Sequence, residues 1–355
     1  MHQVMIHPAT YDTVRASIDR AFDQFPQALN GKKVLIKPNV LRGSEAVEGI
    51  VTHPAVLAAV VDKVEALGPA SIVVGDNPGL HSYGANEAAF EQTGLMAAAR
   101  GYYRNIGLDA VPVPFHVDFM QTVNVSRAIL EADIVISLPK FKTHGLTVMT
   151  GAIKNSYGIL PGAQKARLHK IAGNPDRFHD LVVEVFKLRV PDLFIVDAVV
   201  GMEGNGPASP DLREIGLILA ADNAVALDAV MAAMMGLDPG RLRFLRKAAE
   251  AGLGTWNLDG IYIDGNLVPL ENFKLPPLGG EAIQDNATVQ EMLETKTRLT
   301  PRANPDGCTA CGTCVEQCPA QALSMPEDLP EVDMDLCVTC FCCQEICPEK
   351  AMVLQ

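Results

Sequence analysis

The sequence predicts an α/β fold, a large domain with a mostly parallel sheet flanked by helices, followed by a small α+β ferredoxin-like domain. Three observations carry this. Short apolar strands alternate with helices of apolar periodicity through most of the first 298 residues. All nine cysteines fall between Cys308 and Cys347. Of the 355 residues, 48% are hydrophobic and 20% charged, which excludes a disordered chain and allows a sizeable core.

The elements follow in order. Lys33 to Lys37 is a short apolar strand closed by Pro38. His53 to Leu67 carries Val56, Leu57, Val60, Val61 and Val64 at helical spacing and stops at Gly68. Ser71 to Val74 is a strand, and Ala85 to Thr93 a helix ended by Gly94. Asp133 to Ser137, Leu193 to Asp197 and Leu217 to Ala220 are further strands; Asn223 to Met235 and Pro239 to Ala251 are helices. The first domain is assigned to residues 1–298 and the second to 299–355, with Leu299 to Gly307 as a proline-rich linker. Between the cysteine runs, two short segments around Pro326 and Pro330 suggest a hairpin.

Nine cysteines crowded into 40 residues, after 307 without one, indicate an intracellular metal site rather than a disulfide framework. The runs Cys308-x2-Cys311-x2-Cys314-x3-Cys318-Pro and Cys337-x2-Cys340-x2-Cys343-x3-Cys347-Pro have the spacing of two-cluster bacterial ferredoxins, in which the fourth cysteine of each run ligates the other cluster. Two [4Fe–4S] clusters are therefore expected, one on Cys308, Cys311, Cys314 and Cys347, the other on Cys337, Cys340, Cys343 and Cys318. Zinc is the alternative, but zinc sites use separated Cys-x2-Cys pairs. Cys342 is left over, as a packed cysteine beside a cluster or as a reactive thiol.

Charge narrows the partners. The net charge of −13 argues against general affinity for nucleic acid or anionic membrane, and no apolar run reaches the roughly 18–20 residues that span a bilayer. The start of the chain lacks a basic flank and apolar stretch, so a cytoplasmic location is expected. From Pro301 onward two bases face nine acids, a net −7. By contrast, Ile134 through Pro175 holds no Asp or Glu, yet contains Lys140, Lys142, Lys154, Lys165, Arg167 and Lys170. Such a segment forms an electropositive surface or cleft, either for an anionic substrate or for the acidic module of the same chain. Polar groups cluster just past the strand ends at Lys37-Pro-Asn39, Gly75-Asp76-Asn77, Pro139 to His144, and Asp197 to Gly206, where ligands bind in open α/β sheets. The glycines of Gly201-x2-Gly204-x-Gly206 do not form a dinucleotide fingerprint, because Pro207 and Pro210 interrupt any following helix. His53, His144 and His169 are acid/base groups, metal ligands or hydrogen-bonded structural residues.

Lys37-Pro-Asn39, Thr52-His53-Pro54, Lys140-x-Lys142-Thr-His144 and Thr150-Gly-x-x-Lys154-Asn155-x-x-Gly158, continued by Lys165 and His169, resemble the domain-of-unknown-function 362 family. Its members often carry a C-terminal two-cluster ferredoxin domain. The resemblance implies an iron–sulfur protein with an α/β core, and leaves the substrate open. The leading expectation is an oxidoreductase that takes electrons from a low-potential donor such as a ferredoxin and passes them to an anionic small molecule. Lys37, Lys142, Lys154 and Lys165 would hold anionic groups, His144 or His169 would deliver the proton, and Asn39 and Asn155 would orient the substrate. Asp76 and Glu203 would accept protons or hold the lysines, with Thr52 and His53 completing the site. The alternative is an electron carrier or assembly protein whose basic segment only docks its own module or a partner. A non-redox lyase or sulfur-transfer enzyme would need an open iron site, against which eight well-spaced cysteines argue.

Overall fold

The computed structural model describes residues 1–79, 84–172, 175–276 and 300–354. Its strands are β1 (His2–Pro8), β2 (Lys33–Pro38), β3 (Ser71–Val74), β4 (Ala110–Val117), β5 (Met120–Ser126), β6 (Ile134–Leu138), β7 (Lys140–His144), β8 (Val148–Thr150), β9 (Leu193–Met202), β10 (Leu212–Ala221) and β11 (Ile261–Asp264). Nine of them form one sheet in the order β11-β1-β10-β9-β6-β2-β3, with β7 on β9 and β8 on β7. The sheet is mixed. β2, β3, β6 and β9 run parallel, whereas β10 is antiparallel to both β1 and β9. β4 and β5 form a separate hairpin.

Helices cover both faces. α1 (Val14–Gln24), α2 (Pro54–Ala66), α3 (Ala85–Gln92) and α4 (Leu95–Ala98) enclose one apolar layer built on Val34, Ile36, Val60 and Ile195. α5 (Arg127–Glu131), α6 (Ala152–Asn155), α7 (Gly162–Ala172), α8 (Pro175–Leu188), α9 (Ala224–Met234) and α10 (Arg243–Glu250) belong to the other side, whose core includes Leu35, Phe186, Val196 and Val230. β2, β6 and β9 read as nearly unbroken apolar runs because both of their faces are covered.

The helix expected at His53 to Leu67 is α2, with His53 as its N-cap: the ring Nδ1 accepts from Ala55 N–H at 3.1 Å and Pro54 opens the first turn. Two differences bear on function. Lys140 to His144, expected as a loop, is strand β7. Pro139 breaks the line between β6 and β7; β9 pairs with β6 at its start and with β7 further on, where the register shifts between Lys140 and Lys142. The expected basic surface is therefore an interior: Lys140 and Lys142 are 0% and 1% exposed. The expected linker also carries structure. Pro301–Ala303 (β12) pairs antiparallel with Met352–Leu354 (β15), closing the small domain on itself. The assigned boundary at 298/299 lies outside the described residues.

In the small domain, Leu323–Ser324 (β13) and Glu331–Val332 (β14) form the expected hairpin. The two cysteine runs are near-copies. Ala310, Gly312 and Gln321 have positive φ in the first half, and Thr339, Phe341 and Lys350 in the second. In each half the N–H four residues after the last cysteine donates to its sulfur at 3.3 Å, Ala322 to Cys318 and Ala351 to Cys347. Backbone alternating between left- and right-handed regions turns successive N–H groups toward one point and makes an anion cradle.

Candidate functional site

The cysteines converge in two groups. Cys308, Cys311, Cys314 and Cys347 line one pocket of about 340 Å³, whose other walls include Met325, Pro330 and Met352. Burial pushes the Cys314 thiol up to about 11, helped by Cys347 and Cys311. Cys343 is also pushed up, by burial and then by the proximity of Cys340, Cys337, Cys314 and Cys318. Thiols gathered in this way disfavour one another's charge unless a cation is present, which is the situation of cluster ligands. The first group draws three cysteines from one run and the last cysteine from the other, and Cys343 has both Cys314 and Cys318 of the first run nearby. With N–H groups donating to sulfur and an apolar lining, these residues fit iron–sulfur clusters.

The larger cleft lies where the small domain meets the ends of β2, β3 and β7. It encloses about 750 Å³ of empty space, its mouth included. Asn39, Asp76, Lys142, His144, Lys154, Asn155, Lys165 and His169 line it, so eight of the residues singled out by sequence come together. Gln317, Cys342, Glu345 and Ile346 of the small domain form the facing wall.

Local structure explains the motif. α6 begins at Gly151, and its first N–H groups donate to Asp228 on α9: Ala152 to Oδ1 at 2.6 Å and Ile153 to Oδ2 at 3.0 Å. Burial raises Asp228 to about 7 against the pull of those bonds. A side chain at Gly151 would collide with this carboxyl, so the glycine lets the cap close and fixes Lys154 and Asn155 one turn later. Asn155 Nδ2 donates to Ser137 Oγ at 2.9 Å, and its Oδ1 accepts from Asn39 Nδ2 at 3.1 Å. Gly158 is packed against Asp76 and Lys37, which form a buried ion pair of 2.6 Å; an added Cβ would strike both. Lys37 thus stands behind the cleft wall and is tied to Asp76, whose other oxygen accepts from Val40 N–H.

The remaining cations differ in their partners. Lys142 Nζ donates to Ile50 O at 2.7 Å, Lys165 Nζ to Asn77 O and Pro78 O, and half-buried Lys154 lies 4.8 Å from the centre of the Tyr157 ring and 5.5 Å from that of Phe178. Burial brings Lys142 down to about 7, with repulsion from Lys154 adding to it. Lys165 falls to about 7 by burial, against the pull of Asp76.

The two histidines are held in opposite tautomers. His144 Nδ1 accepts from the N–H of Leu146 at 3.1 Å, so its proton sits on Nε2, 3.2 Å from Glu345 Oε1. His169 Nδ1 lies 2.8 Å from Lys165 O, which can only accept; the proton is on Nδ1, and Nε2 is a lone pair without a hydrogen-bond partner among the described residues. Burial, with Lys154 nearby, lowers both rings to about 4. Glu345 stays ionised: burial alone would raise it, but His144, His169 and Lys154 together hold it near 2.

Three expected site residues are elsewhere. Thr52 Oγ1 donates to Leu138 O at 2.6 Å and accepts from Asn39 N–H, bracing the loop behind the cleft. His53 stacks on Tyr11 with ring centres 3.6 Å apart, and its N–H donates to Asp197. Glu203 accepts from Arg213 Nε at 2.8 Å, on the far side of β9. None of the three lines the cleft, because capping and pairing consume their polar atoms.

Sequence reasoning passed over Tyr157, Thr150 and Glu345. Tyr157 OH donates to Lys165 O at 3.1 Å. Cys342, set between two proposed ligands, is buried and reaches the cleft. Phe341 is 2% exposed; it joins the core of the large domain and packs against Gly145.

Residues 34–233, more than half of the chain, match the model of a domain of unknown function, DUF362. The chain belongs to this family. Residues 300–348 match a 4Fe-4S dicluster domain, which identifies the C-terminal module as a ferredoxin-like iron–sulfur domain suited to electron transfer. A thylakoid-associated protein of Synechocystis sp. is 34% identical over 231 residues, 63% of this chain and 69% of that protein. Among solved structures, a Thermotoga maritima protein is similar with a TM-score of 0.37 at 14% identity, covering 53% of this chain and 50% of that one. The lactate racemase apoprotein of Thermoanaerobacterium thermosaccharolyticum gives 0.43 at 10% identity, covering 64% and 56%. The chain thus spans between half and three-fifths of each of these structures. No helix among the described residues is long and apolar enough to cross a membrane.

Proposed function

We propose that the protein is an iron–sulfur oxidoreductase that reduces or oxidises a small anionic molecule held in the cleft. Two [4Fe–4S] clusters, when bound, supply one electron each, the two that most organic reductions need. The supporting observation is the facing wall: Cys342 and Glu345, which flank the ligand Cys343 in sequence, share the cleft with Lys142, Lys154, Lys165 and His169. The small domain thus presents its ligand-bearing helix, Cys342–Ile346, to the cationic side of the large one.

In this reading Lys142, Lys154 and Lys165 bind acidic groups and offset charge that develops on reduction. Asn39 and Asn155, joined by a hydrogen bond, orient the ligand. Proton delivery shifts from the initial expectation. His144 has its proton committed to Glu345, so it is a positioning residue. Lys142 and Lys165, titrating near 7, match a general acid at neutral pH, and His169 Nε2 is the available base. A ferredoxin-type donor supplies the electrons, and the location is cytoplasmic.

A carrier without a substrate of its own is favoured by one observation, the His144–Glu345 pair, which docks the module. The test is anaerobic. Reconstituted protein is reduced with dithionite, freed of excess reductant and mixed with small organic acids while the visible absorbance of the clusters is followed. Re-oxidation by a particular acid, lost in Lys142→Met without loss of colour, is the expected result. Clusters that no acid re-oxidises, in protein that still exchanges electrons with a ferredoxin, would establish the carrier.

A further inference from the structure

The cleft is not electrically balanced. Lys37 and Asp76 cancel each other, and Glu345 offsets one of the other lysines. When all three are protonated, Lys142, Lys154 and Lys165 therefore bring two more positive charges than the facing carboxylate neutralises. Lys142 is 1% and Lys165 7% exposed, and buried charge of one sign is costly unless a counter-charge arrives. Each ammonium also has N–H groups to spare. Lys142 uses one on Ile50 O, and Lys165 uses two on carbonyls, out of three.

Other residues lining the same space carry polar atoms without a hydrogen-bond partner among the described residues: the amide oxygens of Asn39 and Gln317, which can only accept, and two more. Thr150 Oγ1 and His169 Nε2 belong to side chains 3% and 7% exposed, line the cleft, and have no hydrogen-bond partner among the described residues. The Thr150 hydroxyl can donate or accept. His169 Nε2 can only accept, because the ring proton is fixed on Nδ1 by Lys165 O. A bare anion would satisfy the lysines and repel this lone pair; a ligand hydroxyl would satisfy it.

We propose that the cleft binds a compact organic dianion that also carries a hydroxyl, its two acidic groups against Lys142, Lys154 and Lys165 and its hydroxyl donating to His169 Nε2. This deepens the substrate reading above and rests on it. The redox partner of such a molecule is the oxo acid, related by balanced transfer of two electrons and two protons: R–CO–R′ + 2 e⁻ + 2 H⁺ gives R–CHOH–R′, with one proton ending on the oxygen that faces His169. The electrons come from the clusters and their donor.

Binding must also move protons. A dianion beside Lys142 and Lys165 draws both toward the ammonium form. The other charged or titratable groups facing them are Lys37, Asp76, Lys140, His144, Lys154, His169 and Glu345. Malonate and hydroxymalonate are fully ionised at pH 8, so any proton taken up there goes to the protein.

The experiment is titration calorimetry on anaerobic, fully reconstituted protein with acetate, malonate and hydroxymalonate, repeated in buffers of different ionisation enthalpy. Malonate should bind at least about tenfold more tightly than acetate, as expected for an added charged hydrogen-bonding group. Hydroxymalonate should gain roughly a further fivefold, one neutral hydrogen bond, and lose that gain in His169→Phe. About one proton or more should be taken up per ligand at pH 8 and close to none at pH 6. Malonate no tighter than acetate, no gain from the hydroxyl, or no proton uptake at pH 8 each overturns the proposal. If His169→Phe does not hold its clusters, His169→Asn, which removes the Nε2 lone pair but keeps a polar side chain, replaces it, and the gain from the hydroxyl should again be lost. Tight binding of hydroxymalonate, with no re-oxidation of dithionite-reduced clusters by its oxo acid ketomalonate, would sink the redox reading and leave this one standing; re-oxidation only by unrelated monoanions would do the reverse.

Discussion

Lys140 and Lys142 stand two residues apart on β7, both are buried, and both belong to one motif, yet they do different work. Lys140 pairs with Asp197 at 2.7 Å and donates to Tyr11 OH at 3.1 Å, closing a knot with His53 that ties α2 to β9. Among the described residues Lys142 has no carboxylate within ion-pair distance, and its acceptor is a backbone carbonyl. The irregularity in pairing between them sends one to a finished internal bond and the other to an open cleft. A buried lysine with its own acid holds a fold together. One held by carbonyls has no counter-charge of its own and titrates far below its ordinary range.

Breaking the first side of this contrast should have the largest effect. Asp197→Ala leaves the Lys140 ammonium buried without a counter-charge, and unfolding by denaturant should show a loss of about 3–5 kcal/mol. Next comes Phe341→Ala. It empties a ring-sized space in the core where the module is anchored, at about 3–5 kcal/mol, and the loss should appear as earlier melting together with easier release of iron to a chelator. Gly158→Ala forces a methyl into the Lys37–Asp76 pair, and about 1–3 kcal/mol is expected from overpacking.

Lys142→Met sharpens the other side. Cluster absorbance and fold should survive, because no ion pair is broken, while turnover or acid-driven re-oxidation is lost. Its stability should respond to pH in a defined direction. In the folded protein Lys142 titrates near 7, well below its unfolded value, so between these limits the unfolded chain binds more protons. Stability of the parent therefore falls as pH drops from the lysine range toward 7, and is flat below it as far as this group is concerned. The difference between parent and Lys142→Met should trace that slope, and a pH-independent difference would mean that Lys142 is charged throughout. The smallest effect is reserved for Lys350→Ala. Its 3.2 Å pair with Glu48 is partly exposed, and less than about 1 kcal/mol should be lost.

Legibility in the sequence followed how local each feature is. The cysteine spacing is readable because a cluster is wrapped by residues two or three apart, and the strand and helix pattern of β2, α2, β3, β6 and β9 is readable because each element has a simple period. The cationic half of the cleft was visible as a long stretch without acids. Its opposite wall was not, since Cys342, Glu345 and Ile346 come from about 200 residues away and only docking brings them there. Tyr157 and Thr150 carry no charge to draw attention, and their importance lies in where their oxygens point. His53 and Glu203 misled for the reverse reason: they are chemically capable, but their polar atoms are consumed by Ala55 and Arg213. The N-terminal strand and helix β1 and α1 were missed although Val14, Ile18, Ala21 and Phe22 give a helical stripe.

Phe341 has a positive φ, sits between two cysteines assigned to one cluster, and yet buries its ring in the neighbouring domain. The loop that grips the metal is therefore also the peg that seats the module. Loss of the iron is expected to loosen that peg and, with it, one wall of the cleft.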